Sequence, residues 1–328
     1  MTHVLTDDLL VELEAHAIDL ARGAGAILSR YFGSPMGIEY KDKQKHDPVT
    51  AADKECQEYL TEAISSRYPD HGIVGEEDEE SEDSVAPDVV WVVDPLDGTK
   101  NFLNGLPVFA CSIGVLYRGV PIVGAVYIPW LAQVGGVVMH ARSGGGAFLE
   151  QERVTVSGGE ESEGQRLVGL PGSFSAAFRL GKAMRDKVGD VRVTGSIAYE
   201  LAMTARGVLQ YSITTRPRLW DVVGGAALVL EAGGAVMMGR RGGRSKAFGP
   251  TRLEWEPLKS FIPTWQSGAT TLHELRRWSS PLVSGSPAVA RFVTKNVTPR
   301  SYLRHRLSRA LRRPQRRGGT DKKPRQDP

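Results

Sequence analysis

The run WVVDPLDGTKNF, residues 91–102, constrains this chain more than any other stretch. Val89 to Val93 reads as a buried strand from its β-branched content. It delivers two carboxylates, Asp94 and Asp97, around a proline turn, and Gly98 and Thr99 follow at once. Two acids at a strand end repel each other and are costly to desolvate unless something positive sits between them. A hard divalent cation meets that need, since Mg²⁺ takes carboxylate, carbonyl and water oxygens. Pro, Asp and Gly are also ordinary turn residues, so a plain acidic turn stays open on these residues alone.

Further acids stand at the ends of other apolar runs. Glu76 and Glu77 follow the short stretch Ile73-Val74-Gly75. Asp221 opens an apolar helical pattern, LWDVVGGAALVLEAGG, that stops at Gly233 and Gly234. A carboxylate there either caps the helix or faces outward from its first turn as a ligand. Asp53 stands at the mouth of another helix, whose buried face is Cys56, Tyr59, Leu60 and Ala63. Asp47 reads as a turn residue before Pro48.

Taken together, these elements resemble the inositol monophosphatase-like, lithium-sensitive metal-dependent phosphatases. The family run W-x-x-D-P-x-D-G-T-x-N-F is present without gaps. W-D-x-x-x-G/A, followed by an apolar helix and A-G-G, is Trp220 to Gly234. G-E-E and V-T-x-A-D appear in the right order. The resemblance spans about residues 8–240 and resumes near 280–297. It implies an α/β fold (α+β in some schemes), a layered αβαβα sandwich of the inositol monophosphatase and fructose-1,6-bisphosphatase type. Metals and substrate are then expected at the junction of its halves.

The resemblance also implies roles. Glu76, Asp94 and the carbonyl oxygen of Leu96 correspond to ligands of a first, nucleophile-activating Mg²⁺. Asp94, Asp97 and Asp221 correspond to ligands of a second, and Glu76 helps to hold a weaker third ion. Gly98 and Thr99 correspond to the place that receives the substrate phosphate. Asp53 partners Thr99, and the pair orients and deprotonates the attacking water, which makes Thr99, Asp53 and Glu76 the expected catalytic set. The chemistry supplies its own reasons. A phosphate monoester is anionic and repels hydroxide, and metal ions neutralise it, acidify bound water and hold attack in line. His46 and His71 flank these elements and read as loop residues, and no Cys/His cluster suggests zinc.

Two departures bear on substrate. Animal-type members carry a glutamate seven residues before the W-D aspartate, where this chain has Thr214. The segment TTRPRLWD instead offers Arg216 and Arg218, whose guanidinium forks suit oxyanions. A solvated basic loop is the competing reading of both. The expected substrate is a small phosphorylated metabolite resembling inositol monophosphate. Fructose 1,6-bisphosphate and 3′(2′),5′-bisphosphate nucleotides are the alternatives, and histidinol phosphate stays open. The second departure is an extra segment at about 241–279, whose Trp255, Phe261 and Trp265 call for core packing or a subunit contact.

The remaining features fit a cytoplasmic enzyme. A chain of 328 residues can bury a substantial core in two subdomains, here expected at about 1–145 and 146–299. No apolar run reaches transmembrane length, and the N-terminus lacks a basic segment followed by an apolar signal core. Its Leu10, Leu13, Ala17, Leu20 and Ala24 recur at helical spacing instead. Cys56 and Cys111 are the only cysteines, so structural disulfides are not expected. The net charge is +3, but residues 300–328 carry eleven Lys/Arg against two Asp/Glu, leaving about −6 on the rest. That basic tail reads as disordered and suited to nonspecific polyanion contact. A nucleic-acid-associated protein is therefore the non-enzyme alternative, and a homodimer is the expected assembly. The acidic run Asp78 to Asp83 reads as a solvated loop whose field strengthens metal attraction. Two strands within 108–128 joined by an Arg-Gly turn, then a hairpin over VGGVVMHARSGGGAFL, complete the first half. In the second, RLVGLPGSF, VRVTG and VLQYSI read as strands, and AAFRLGKAM and SIAYELAMTARG as helices. PLVSGSPAVARFVTKNV supplies a closing strand and helix.

Overall fold

The computed structural model describes residues 5–34, 38–40, 48–78, 84–130, 133, 135–241 and 253–300. Helices α1 (Asp7–Tyr31) and α2 (Ala51–Arg67) flank a small strand pair, β1 (Ile38–Tyr40) and β2 (Pro48–Thr50). A seven-stranded sheet follows in chain order: β3 (Gly72–Gly75), β4 (Val89–Asp97), β5 (Ala110–Tyr117), β6 (Val120–Ile128), β7 (Val137–Arg142), β8 (Gly146–Leu149) and β9 (Glu152–Val154). Short helix α3 (Thr99–Leu103) leaves β4. Strands β8 and β9 carry this sheet past residue 145, so the last hairpin belongs with the first half of the chain.

The second half contributes β10 (Leu167–Gly169), α4 (Phe174–Ala177), β11 (Phe178–Leu180), β12 (Asp190–Arg192), α5 (Ile197–Ala205), β13 (Tyr211–Thr214) and α6 (Leu219–Glu231). It ends with β14 (Ala235–Arg241), β15 (Leu253–Pro257), α7 (Leu272–Arg276), β16 (Leu282–Gly285), α8 (Pro287–Asn296) and β17 (Val297–Pro299). Six of these strands form one mixed sheet in the order β12-β10-β13-β16-β14-β15. The helix expected over AAFRLGKAM is instead the single turn α4 followed by strand β11, which pairs antiparallel with β17. Its apolar pattern is too short to pay for helix nucleation, and Phe178 is buried as a strand residue.

Alternation along β4 builds the layers. Val89, Trp91 and Val93 face a core formed with α1 and α2, through Leu13, Leu20 and Leu60. Val90 and Val92 face the opposite core, shared with α5, α6 and the inner face of the second sheet, including Val236, Met238 and Leu282. The outer face of that sheet packs Ile213, Met237 and Val283 against Val289 and Val293 of α8. The order is helix, sheet, helix, sheet, helix, which is the αβαβα sandwich. In the extra segment, β15 extends the second sheet, Phe261 is buried, and Trp265 and Trp255 are partly buried against the two cores. Among the described residues no helix is long and apolar enough to cross a membrane.

Helix α1 begins at the cap Thr6, which accepts the Leu9 N–H. It is tied to the first sheet through Glu14. His140 on β7 lies between two acceptors, with Nδ1 2.8 Å from the Glu14 carboxylate and Nε2 2.8 Å from the Glu150 carbonyl. Burial pulls the imidazole pKa down, but Glu14 and then the Glu150 carbonyl outweigh it, and the net shift is upward. The folded pKa therefore exceeds the unfolded one. Its stabilisation is complete below the unfolded value of about 6.5 and is lost as pH rises through the folded value. Thermal unfolding followed from pH 6 to pH 8 is expected to show this loss in the wild type and a flatter profile in His140→Gln. Identical profiles in the two proteins speak against the assignment.

Candidate active site

Strand register brings the first two acids together. β3 runs parallel to β4 with Gly75 opposite Val93, and the Glu76 N–H donates to the Val93 carbonyl at 3.2 Å. Glu76 thus leaves its strand beside Asp94. The proline turn expected after Asp94 is a β-bulge: β4 continues to Asp97, with Asp94 opposite Ser112 and Asp97 opposite Ala110. Leu96 is turned into the core, and Asp94, 1% exposed, accepts the Leu96 N–H at 3.0 Å. Gly98 then adopts φ +99° and starts α3. A Cβ there would stand 3.1 Å from the Val108 carbonyl, so both backbone and space call for glycine.

Asp53 is the N3 residue of α2 and is 1% exposed. Its Oδ2 accepts the Thr50 N–H at 2.7 Å and the Thr50 hydroxyl at 2.5 Å, a reciprocal cap. Its Oδ1 lies 3.4 Å from the Thr99 hydroxyl, which also stands 3.1 Å from the Leu96 carbonyl. A hydroxyl has one proton, so Thr99 chooses between the two.

Asp221 arrives from the second half. It is the N3 residue of α6, and its Oδ2 accepts the Arg218 N–H at 2.7 Å. The cap reading of this residue is therefore realised by one oxygen. Helix α6 lies close on the first sheet because glycines meet there. A Cβ on Gly124 would come within 2.3 Å of the Gly224 carbonyl, and one on Gly114 within 2.8 Å of the Gly224 nitrogen. Asp97 is held by the start of α5, where its Oδ2 accepts the Ser196 hydroxyl at 2.8 Å and the Ala198 N–H at 2.5 Å.

The electrostatics join all four acids. Burial, then the charges of Glu76, Asp97 and Asp221, drives the Asp94 pKa well above the carboxylate range, and Glu76 also hydrogen bonds to it. Asp97 is pushed up to about 7, chiefly by burial, with the Ala198 N–H and Ser196 hydroxyl opposing. Burial and the Asp97 charge raise Asp221 too. Among the described residues, no three His, Cys, Asp or Glu side chains as placed enclose an ion. The charges of the acids nonetheless act on one another. Backbone register fixes where these acids emerge, whereas carboxylates turn readily about χ. The donor set is all oxygen and suits a hard ion such as Mg²⁺, and neutralising a buried cluster of acids is what such an ion does.

The other candidates fall out differently. Thr214 is 2% exposed and its hydroxyl accepts the Leu282 N–H at 3.2 Å within the sheet. Arg216 and Arg218 are exposed on the segment leading into α6. His71 accepts the Trp91 indole N–H at 3.1 Å and stacks on Tyr68. His46 and Asp47 lie outside the described residues, as do residues 79–83 and 301–328.

Three supporting residues were not singled out from the sequence. Asn101 donates to the carbonyls of Val108 at 2.6 Å and Thr194 at 2.7 Å, pinning α3 to the approach to α5. Ser196 caps α5 while holding Asp97. Glu200, 5% exposed, accepts the Thr194 hydroxyl at 2.7 Å, and burial raises its pKa to about 7. The serine at a helix start and the asparagine inside the D-G-T-x-N-F run were the available signals.

Known proteins share this sequence pattern and this fold. The chain is 32% identical over 219 residues to a fructose-1,6-bisphosphatase/inositol-1-monophosphatase of Aquifex aeolicus, covering 65% of this chain and 81% of the relative. It is 36% identical over 229 residues to the Nus factor SuhB of Escherichia coli K12, covering 67% and 82%. The solved IMPase of Thermotoga maritima superposes with a TM-score of 0.63 at 25% identity, covering 86% of this chain and 94% of that one. The profile of the inositol monophosphatase family matches residues 9–270, a span that contains every acid of the cluster. With that fold and that span of the sequence in common, the chain belongs to the inositol monophosphatase family.

Proposed function

We propose that this chain is a Mg²⁺-dependent phosphomonoesterase acting on a small phosphorylated metabolite. Membership of a hydrolase family supports catalysis, and it implies divalent-metal chemistry. The observation that carries the reading is the set Glu76, Asp94, Asp97 and Asp221, with Asp94 buried and the other three half-buried, whose charges act on one another at the meeting of both halves of the fold. In this reading Glu76, Asp94 and the Leu96 carbonyl hold one ion, and Asp94, Asp97 and Asp221 hold a second. Glu76 contributes to a third. Bound Mg²⁺ supplies charge neutralisation of the phosphate and a water of lowered pKa.

The chain's own groups do the rest. Gly98 and Thr99 receive the phosphate where β4 passes into α3. Asp53, fixed by its reciprocal cap with Thr50, takes the proton that the Thr99 hydroxyl passes on, which orients the attacking water. The Ser196 and Ala198 donors occupy one oxygen of Asp97 and leave the other for ligation.

An inositol monophosphate-like ester is the proposed substrate, in line with the name of the Aquifex relative. That name also keeps fructose 1,6-bisphosphate in view. Exposed Arg216 and Arg218 beside Asp221 favour an ester with a second anionic group, which includes 3′(2′),5′-bisphosphate nucleotides. A homodimer in the cytoplasm remains part of the proposal, and the basic tail is given no part in hydrolysis.

Phosphate release from a panel of inositol, sugar, histidinol and nucleotide esters tests the reading. Hydrolysis is expected with Mg²⁺ and is expected to stop when the metal is chelated. No metal-dependent release from any ester of the panel removes the catalytic reading.

A further inference from the structure

Arg276 ends α7, beyond the span shared with the family, and its side chain is 14% exposed. It reaches back 198 residues to Asp78, just after Glu76 and Glu77. One guanidinium nitrogen, Nη2, donates to Asp78 Oδ2 at 2.5 Å, and Nη1 donates to the Asp78 carbonyl at 3.2 Å. The same carboxylate accepts the Gly75 N–H at 2.7 Å and the Gln57 amide at 2.6 Å. Asp78 therefore gathers donors from the end of β3, from α2 and from α7, and closes the chain around Glu76. It is the first residue of the run expected to be solvated, yet its side chain is only 23% exposed.

The mounting of Arg276 is firm. Leu275 is fully buried and shares a core with Val74 of β3 and with Ala86. The Ala86 N–H donates to the Thr270 carbonyl at 2.8 Å, and the Leu272 N–H donates to the Ser84 carbonyl at 3.0 Å. The segment before β16 is thus strapped to the first sheet on the far side of the acidic run. A guanidinium fork to a carboxylate and a carbonyl is a directed contact that an ammonium cannot reproduce.

We infer that Arg276 is a positioning residue for Glu76: through Asp78 it fixes residues 75–78, so that Mg²⁺ affinity depends on a side chain of the C-terminal segment. This rests on the reading of Glu76 as a metal ligand. The sign of the effect separates positioning from charge. Deleting a cation near a metal site tightens Mg²⁺ binding if through-space charge is all that matters. Loss of the clamp weakens it, because partners of metal ligands typically set affinity by about 10–100-fold.

The test is calorimetric titration of the full-length protein with Mg²⁺, alongside amide exchange of residues 75–78 with no metal added. Arg276→Ala is expected to weaken Mg²⁺ binding about tenfold and to speed exchange at the Gly75 amide. Arg276→Lys keeps the charge but not the fork, and is expected to fall between Arg276→Ala and the wild type in both. In turnover, the half-saturating Mg²⁺ concentration is expected to rise with the variants while the ester KM at saturating Mg²⁺ stays within about twofold. A folded Arg276→Ala that binds Mg²⁺ as tightly as the wild type, or more tightly, overturns the inference. If Arg276→Ala does not fold, wild-type affinity and exchange in Arg276→Lys overturn it instead. A wild type that binds Mg²⁺ but hydrolyses no ester removes the phosphatase reading and leaves the clamp standing.

Discussion

Asp94→Asn is expected to lose roughly a thousandfold or more in turnover, equivalent to about 4 kcal/mol of transition-state stabilisation, while the metal-free protein loses no stability. Both halves of that expectation come from one environment. Asp94 is 1% exposed and faces Glu76, Asp97 and Asp221, so keeping it ionised opposes folding when no cation is present. An amide has nearly the same shape and still accepts the Leu96 N–H through Oδ1. The melting temperature of metal-free Asp94→Asn should therefore equal or exceed that of the wild type. Adding Mg²⁺ should raise the wild-type melting temperature by mass action and leave the variant unmoved. Thr99→Ala provides the contrast, because its hydroxyl is assigned to the attacking water. It should keep the Mg²⁺-induced rise and lose turnover. A variant at Asp94 that melts well below the metal-free wild type contradicts the buried-repulsion argument, and equal loss of the Mg²⁺ response at Thr99 contradicts the division of roles.

What the sequence made legible is what is local. Leu10, Leu13, Ala17, Leu20 and Ala24 do form the buried face of α1, because one helical period fits them all. The Arg118-Gly119 pair does turn the β5–β6 hairpin, with both residues at positive φ. The order of the acids could be read because each stands at one end of an apolar run. The bulge between Asp94 and Asp97 could not, since Pro95 is as good a turn signal as a bulge signal and only pairing with β5 decides. Nor could the supports of the site. Asn101 meets Thr194 across 93 residues, Asp97 meets Ser196 across 99, and Arg276 meets Asp78 across 198. Periodicity carries no information at that range. Thr214 shows the same limit from the other side: its position seven residues before Asp221 suggested substrate, while its hydroxyl is engaged by the backbone of β16.

Gly124→Ala is expected to be among the most damaging single methyls at the described glycines. Its Cβ would stand 2.3 Å from the Gly224 carbonyl oxygen and 2.9 Å from the Ala227 Cβ, both on α6. Neither can swing aside, because the first belongs to the backbone and α6 is buried between two sheets, so the whole helix must lift. A cost of about 3 kcal/mol or more corresponds to a fall of about 4 °C or more in melting temperature for a chain of this size. The site feels the same displacement. Asp221 rides on the first turn of α6, while Asp94 and Asp97 ride on β4, so lifting the helix separates the acids across the junction. Mg²⁺ affinity should fall with stability, and the metal-dependent rise in melting temperature should shrink. Gly158→Ala is the control, since nothing lies within 4 Å of its Cβ position. A Gly124→Ala protein that melts with the control shows that α6 is free to move away from the sheet. Asp221 then owes its place near Asp97 to its own cap at Arg218 rather than to the glycine contact.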